Sequence, residues 1–447
     1  MRKPESPPPL DQLIKTTTSS GFLSKVVENY PLGVVNSQKY LHWDQMRHRP
    51  APGDLSREEW WALTKLARRS TARAIPLLDE KDAPFTYSLP DEVLRETEFI
   101  SIHTGGRISF SEEVTNPATR DRYLINSLIE EAITSSQLEG ARTEKRVATE
   151  MIRSGREPRD RSERMILNNF HAMEFVGEIR NEPLTPEIIC RIQRIATEGT
   201  LDNPAGGGRF QQPSEPRVGV YDNEGQLLHA PPPAELLPER IARLCDFANG
   251  KIGEGYLPGV VRAVILHFML GYEHPFEDGN GRTARLLFYW SMLNQGYWLT
   301  EFISISSIIK KSHAQYGRAF LYVESDDNDL TYFLLFNLKV LHRAIDGLNK
   351  YLARKMDEVR ELRLRLRRDT SHFNSRQLAL LHNALKNPGA KYTVQSHRTS
   401  HRVSAETARQ DLVELERHDF LEKRRVDKKF VYYPAANLSE AIKSLDL

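Results

Sequence analysis

From about residue 110 to 345, apolar positions recur at helical spacing, one run after another with short polar breaks. Residues 122–137 place Leu124, Leu128, Ile129 and Ile133 three and four positions apart, which predicts one apolar face of a helix. Further helices are predicted over 163–180, 186–198, 236–249, 258–272 and 282–295, with Pro, Gly or Asn at their boundaries. Between Gly208 and Pro233 the period changes. Val218 and Val220 alternate with their neighbours, 222–225 reads as a turn, and 226–229 extends back, the pattern of a β-hairpin.

The ends read differently. Residues 1–20 are rich in Pro, Thr and Ser and are expected to be disordered. Residues 21–109 read as a helical arm, its runs (58–74 for example) interrupted by Pro52, Gly53, Pro76, Pro84 and Pro90, with a structural or docking role. A basic linker helix over 346–370 leads to a small unit, 371–447. There helices are predicted over 377–385, 393–400 and 404–418, the last opened by Ser404 as N-cap and carrying Leu412 and Leu415 inward. Residues 421–425 and 430–433 then read as two strands around a turn. The fold class expected is mainly α with a β-hairpin over 110–345, followed by an α+β C-terminal unit.

Composition narrows the classes. At 447 residues and 39% hydrophobic the chain can bury two or three cores. A net charge of +2 means that any nucleic-acid contact must come from a local patch. Cys190 and Cys245 lie far apart outside any metal or redox spacing and read as reduced, packed thiols. The most apolar run, 260–270, is interrupted by Arg262 and His267 and is too short to cross a bilayer, and MRKPESPPPL has no apolar signal core behind it. A cytoplasmic protein without a membrane partner is expected.

The chemistry concentrates in residues 274–285, HPFEDGNGRTAR. His274, between a helix and a proline, is a group able to accept a proton near neutral pH. Phe276, apolar among polar neighbours, should anchor the loop in the core. Asp278 offers a hard carboxylate suited to a divalent cation that also binds phosphate oxygens. Gly279-Asn280-Gly281 lets backbone N–H groups approach an anion at a helix N-terminus. Arg282 and Arg285, three apart on that helix, can hold phosphate charge. Each fragment alone has an ordinary meaning (a packed histidine, a turn, a helix cap), but together they serve one task.

This run resembles the signature of the Fic family, H-x-F-x-[DE]-G-N-G-R-x-x-R, at every defined position, and the similarity extends over roughly 110–345. Gly208-Arg209-Phe210 and the hairpin leading to Ala230-Pro231-Pro232 are similar to the family's target-binding flap. The resemblance implies a protein adenylyltransferase that moves AMP from ATP to a Ser, Thr or Tyr hydroxyl. His274 would be the base, Asp278 would hold Mg²⁺, and Asn280 with the backbone of Gly279 and Gly281 would hold the inner phosphates. Arg282 and Arg285 would hold the outer ones. Tyr316 would lie against adenine or serve in packing, and His267 would be structural. Val218 and Val220 would pair with the backbone of a target loop. Relatives that transfer the terminal phosphate carry a bulky basic residue where Gly281 stands, so AMP transfer is favoured.

Upstream, Ser135-Ser136-Gln137-Leu138-Glu139-Gly140 reads as the last turn of a helix with Gly140 as its stop. A glutamate there faces the negative end of the helix dipole, and is tolerable if solvated or met by an arginine. The run resembles the inhibitory helix of Fic proteins, which implies that Glu139, with Ser135, pairs with Arg285 and blocks the γ-phosphate; the same glutamate could position a water to remove AMP. The C-terminal unit resembles a winged helix-turn-helix. Ser404, Thr407 and Arg409 would face a DNA groove and Lys428 the phosphates, or the unit would serve protein contacts. A nucleotide-sensing transcriptional regulator is the alternative function, and self-modification and a homodimer stay open.

Overall fold

The computed structural model describes residues 2–18, 39–105, 117–222, 224–368, 373–426 and 429–444. The chain divides into two compact units, residues 1–106 with 127–345, and residues 107–126 with 346–447.

The first unit is built around two helices, Gly259–Glu273 and Asn280–Asn294, which pack against each other. Their sequences, VVRAVILHFML and LLFYWSML, are apolar on nearly every side, and almost all their residues are buried. Three amphipathic helices enclose them: Arg161–Glu178, Pro186–Thr197 and Leu237–Ala248. Polar caps start the first two: Asp160 accepts from the Glu163 N–H at 2.8 Å, and Thr185 accepts from that of Ile188 at 3.3 Å with Pro186 behind it. An aromatic cluster closes another side, where Phe320 of helix His313–Ser325 meets Phe268 at 5.1 Å and Phe333 at 4.5 Å between centroids. These helices begin and end close to the positions expected from the apolar spacing.

The arm departs from expectation in two ways. Residues 10–18 are not disordered: Leu10–Thr18 is a helix whose Leu10 and Leu13 are buried against Trp60, Trp61 and Leu63 of helix Arg57–Thr71. Two leucines on one face gain enough burial to order a segment whose Pro and Ser content suggests otherwise. Nor is the arm purely helical, since Arg73–Leu78 pairs antiparallel with Pro84–Tyr87. Ile75, Leu77, Phe85 and Tyr87 alternate inward with a period of two. Pro84 opens its strand, where a missing N–H costs no ladder bond. The outer edge of the second strand pairs on: Thr86 donates to the Asn328 carbonyl at 3.1 Å and accepts from Leu330 at 2.8 Å.

Buried charge locks the arm down. Arg68 donates to Tyr332 Oη at 2.7 Å and the Leu41 carbonyl at 2.9 Å, and Lys65 Nζ lies 2.6 Å from Asp326. Such groups stay ionised away from water only when paired.

In the second unit, helices Ser375–Lys386, Val394–His401 and Ala405–Arg417 precede strands Leu421–Val426 and Lys429–Pro434 and a short helix, Leu438–Lys443. Leu380, Leu381, Leu412, Leu415, Phe420 and Ile442 form its core. Tyr392 adds a bridge to the hairpin, exchanging two backbone hydrogen bonds of 2.8 Å with Tyr432. The linker helix expected from 346 is the continuation of one 38-residue helix, Thr331–Arg368. Among the described residues no helix is long and apolar enough to cross a membrane.

Trp61 is fully buried where the arm folds, so Trp61→Ala should cost about 3–5 kcal/mol. Urea unfolding followed by circular dichroism measures this; a loss below about 1 kcal/mol would mean the arm contributes little.

Candidate active site

Helix Gly259–Glu273 stops because Pro275 cannot continue it. His274 caps it in the left-handed conformation, φ 43° and ψ 53°. A residue with a β-carbon pays about 1–2 kcal/mol for that pose, a cost that marks functional positions. Phe276 is fully buried against Phe210, 5.3 Å between ring centroids, and anchors the loop. The Asn280 side chain clips the loop to itself: Oδ1 accepts from the Phe276 N–H at 2.9 Å, and Nδ2 donates to the Phe276 carbonyl at 2.8 Å. Nδ2 also lies 3.3 Å from His274 Nδ1, so the same amide orients the imidazole. Its side chain is therefore committed to the loop, and an anion contact falls to its backbone N–H.

Gly279 has φ 84°, and a β-carbon there would sit 2.6 Å from Thr197 Cγ2, so only glycine fits. Asn280 begins the next helix, whose first-turn N–H groups have no partner within the helix. Gln193, which sequence reading missed, joins two walls: Nε2 donates to the Asp278 carbonyl at 3.0 Å and Oε1 accepts from the Gly208 N–H at 2.6 Å.

Both arginines of the motif are buried. Arg282 donates to the Ala196 carbonyl at 2.5 Å, while its Nε and Nη2 have no hydrogen-bond partner among the described residues. Nη2 faces Asp278 Oδ2 at 3.6 Å. Buried donors left unmade cost on the order of 1–3 kcal/mol, and more when charged, so these two suit an anion. Arg285 is satisfied. Its Nε donates to Ser135 Oγ at 2.9 Å, and its Nη2 to the Ser135 carbonyl at 3.1 Å and to Glu139 Oε1 at 2.8 Å. Glu139 rests on the backbone of Gly281 so closely that any β-carbon there would strike its carboxylate. Burial alone would raise the Glu139 carboxyl, but Arg285, then Arg282 and His274, hold it below its ordinary value. The carboxylate is thus the anion of this cradle.

A cavity of about 500 Å³ opens beside it, bounded by Glu139, Gly281 and Arg285, by Tyr316 and Phe320, and by the hairpin. Hairpin strand Val220–Tyr221 pairs antiparallel with Leu227–His229, Val220 opposite His229; Val218 lies before the strand. Tyr316 lines the cavity and also packs, its hydroxyl 2.8 Å from Nε2 of the fully buried His267. Burial, with Arg285 adding to it, lowers His267 to about 3, which suits a neutral structural role.

The Asp278 side chain is 46% exposed, and its Oδ1 accepts from the Gly279 N–H. Among the described residues no three His, Cys, Asp or Glu side chains group to hold a metal. A magnesium ion would fit only in its usual manner beside phosphates, with one carboxylate, water and the phosphate oxygens as ligands.

Of the C-terminal candidates, Ser404, Thr407 and Arg409 lie at the N-cap and in the first two turns of Ala405–Arg417. Ser404 Oγ caps that helix, accepting from the Thr407 N–H at 3.0 Å, and Arg409 is tied to Glu406 by bonds of 3.0 and 2.8 Å. Arg409 is therefore less free for a base edge than expected. Lys428 lies outside the described residues.

A histidine beside a glycine-lined helix N-terminus, with two buried guanidinium groups beneath, is an arrangement within a helical domain that suits a phosphate-like anion. Comparison with known proteins gives that arrangement a family: residues 183–292 match the Fic/DOC family. That segment is a Fic/DOC domain. The chain is 27% identical over 233 residues to "Protein adenylyltransferase Fic" of Culex quinquefasciatus (51% of this chain, 42% of that protein). It is 26% identical over 239 residues to the protein of the same name from Nematostella vectensis (53% and 50%). The chain thus spans half or less of the length of these relatives. A Fic family protein from Desulfovibrio desulfuricans G20 shares the fold, with TM-score 0.50, 20% identity, and coverage of 77% of this chain and 96% of that one.

Burial first, then the charges of His229 and Arg217, lower His274 to about 4. The sign follows: the imidazole is neutral and able to take a proton at every pH above that value, and folding loses stability as pH falls from about 6.5 towards 4 because only the unfolded chain readily binds the proton there. Nuclear magnetic resonance of labelled histidine should give a His274 midpoint well below 6.5; a midpoint at or above 6.5 contradicts the buried environment.

Proposed function

We propose that this protein transfers AMP from ATP to a Ser, Thr or Tyr hydroxyl of a protein, and that Glu139 restrains the reaction. The observation that carries this is the Glu139 carboxylate on Gly281, 2.8 Å from Arg285. A built-in anion in the cradle makes sense where the cradle's own ligand is an anion. With Glu139 withdrawn, Arg282 and Arg285 would hold the outer phosphates and the first-turn N–H groups of Asn280–Asn294 the inner ones. His274 would take the proton of the target hydroxyl as its oxygen bonds to the α-phosphorus and the bond to the departing pyrophosphate breaks. Bound at Asp278, Mg²⁺ would neutralise phosphate charge. The exposed edge of the hairpin at Val220 and Tyr221, 37% and 59% exposed, would pair with an extended target segment, or with a segment of this chain in self-modification. The family names of the relatives, protein adenylyltransferases, support the same chemistry. Removal of AMP, with Glu139 positioning a water, is the reverse use of the site.

Glu139→Gly should raise labelling of protein from ATP carrying the label at the α-phosphate at least roughly tenfold, the factor that 1.4 kcal/mol of lost restraint would give. His274→Ala in the same background should abolish it, and label at the γ-phosphate should not be transferred. Equal labelling by wild type and Glu139→Gly would remove the restraint from the account.

The C-terminal unit supports a second role, DNA binding by a winged helix, with the Fic domain then acting as a nucleotide sensor. Residues 371–447 carry 13 Lys and Arg against 9 Asp and Glu, a net +4 where the whole chain has +2. Arg398, Arg402 and Arg425 are exposed in this unit, as is Ser404. Electrophoretic shifts should show binding that weakens steeply between 50 and 200 mM salt, roughly tenfold or more if a few phosphates are neutralised. Binding unchanged by Arg402→Ala with Arg425→Ala would count against this face.

A further inference from the structure

A helix ends with carbonyl groups that have no partner within it, and cations suit that end. At the end of Gly259–Glu273 the four carbonyls of residues 272–275 are taken up in strict succession by a single stretch of chain, the flap and its lead-in. His229 Nε2 lies 2.7 Å from the Tyr272 carbonyl. Arg217 forks over the next two, Nη2 to Glu273 at 2.6 Å and Nη1 to His274 at 3.2 Å. The Gln211 N–H donates to the Pro275 carbonyl at 2.9 Å. One cation therefore stands on each arm of the hairpin, Arg217 just before the first strand and His229 closing the second.

We propose that Arg217 and His229 are positioning residues that fix the left-handed pose of His274 by capping the carbonyls of residues 272–274, and that they thereby set the distance between the catalytic imidazole and whatever lies along the hairpin. The proposal rests on the transfer reaction set out above and adds to it a mechanical link between target edge and base. With Glu324 as a carboxylate, its geometry suits a doubly protonated His229. A carbonyl only accepts, so Nε2 carries a hydrogen; Nδ1 faces Glu324 Oε2 at 2.8 Å, which places the second hydrogen against a carboxylate. Burial opposes that charge, but the Glu324 hydrogen bond and charge raise His229 above its ordinary value. Arg217 is held in turn by the Pro232 carbonyl at 2.8 Å and by Gln211 Oε1, so its fork cannot swing away without opening the hairpin. Neither residue lies in the twelve-residue motif.

The test uses the full-length Glu139→Gly protein carrying Arg217→Met, Arg217→Lys, His229→Ala or the milder His229→Gln, each checked for folding by circular dichroism. Three quantities are read: affinity for the non-transferable analogue α,β-methylene-ATP by calorimetry, the single-turnover rate of label transfer at saturating ATP, and the His274 imidazole resonances. His229→Ala and Arg217→Met should slow transfer on the order of 10²-fold, as a misplaced base does, while analogue affinity stays within about twofold. Arg217→Lys, which keeps the charge and loses the fork, should recover part of the rate. Folded variants that transfer at the parent rate, or that lose analogue binding in parallel with rate, overturn the proposal. No transfer by the Glu139→Gly parent would sink the reaction itself. The cap is then read from the His274 imidazole resonances, which must move when Arg217 or His229 is replaced; unchanged resonances overturn it.

Discussion

The structure turns on an electrostatic requirement: two guanidinium groups, Arg282 and Arg285, lie buried under a helix N-terminus, and a buried cation needs an anion. For Arg285 the anion is Glu139, which reaches it from a different helix and from 146 positions earlier in the chain. Much of the site serves that meeting. The end of the helix that precedes Glu139, Pro117–Leu138, is fixed by a buried carboxylate about two turns before it: Glu131 accepts from Ser304 Oγ at 2.7 Å and from the Ser306 N–H at 3.0 Å. Ser136 donates to the Met165 carbonyl at 3.1 Å, and Lys310 to Gln137 at 2.6 Å. Gly281 leaves the space that the Glu139 carboxylate fills. Arg282, by contrast, keeps two donors unmatched among the described residues, which leave the cradle only partly satisfied.

The same logic explains the aromatic wall and the hairpin. His267, buried and neutral, buttresses Tyr316, which presents its ring to the cavity beside Arg285 and Glu139. The hairpin is short, two residues paired with three, and would be marginal alone. It is stable here because Arg217 and His229 tie both its arms to the helix end that carries His274.

How much of this could be read from the chain depends on range. The motif 274–285 was legible because its loop, glycine turn and helix start are adjacent in sequence, and the helices around it because their apolar faces repeat locally. The pairing of Glu139 with Arg285 was legible only through family resemblance, since nothing near Glu139 names its partner. Gln193, Arg217 and His229 were missed for the same reason: each acts on a backbone carbonyl far along the chain, and a carbonyl leaves no mark in a sequence; Glu324 was missed because its partner, His229, lies 95 positions earlier. The arm misled in a different way. Pro76 and Pro84 hid the period-two alternation of Ile75, Leu77, Phe85 and Tyr87, and the composition of residues 1–20 hid the two leucines that hold helix Leu10–Thr18. In the C-terminal unit the helices and strands followed local pattern, but the bond between Arg409 and Glu406 altered which cations are free.

The central claim is that the Glu139 carboxylate and an outer phosphate of the nucleotide compete for one place between Arg285 and Gly281. Crystal structures of the wild-type and Glu139→Gly proteins, each with ATP and Mg²⁺, address it directly. The account predicts an outer phosphate on Arg285 in the variant, and in the wild type an intact Glu139–Arg285 pair with that phosphate turned elsewhere. An identical phosphate pose in both, with the pair intact in the wild type, would contradict it.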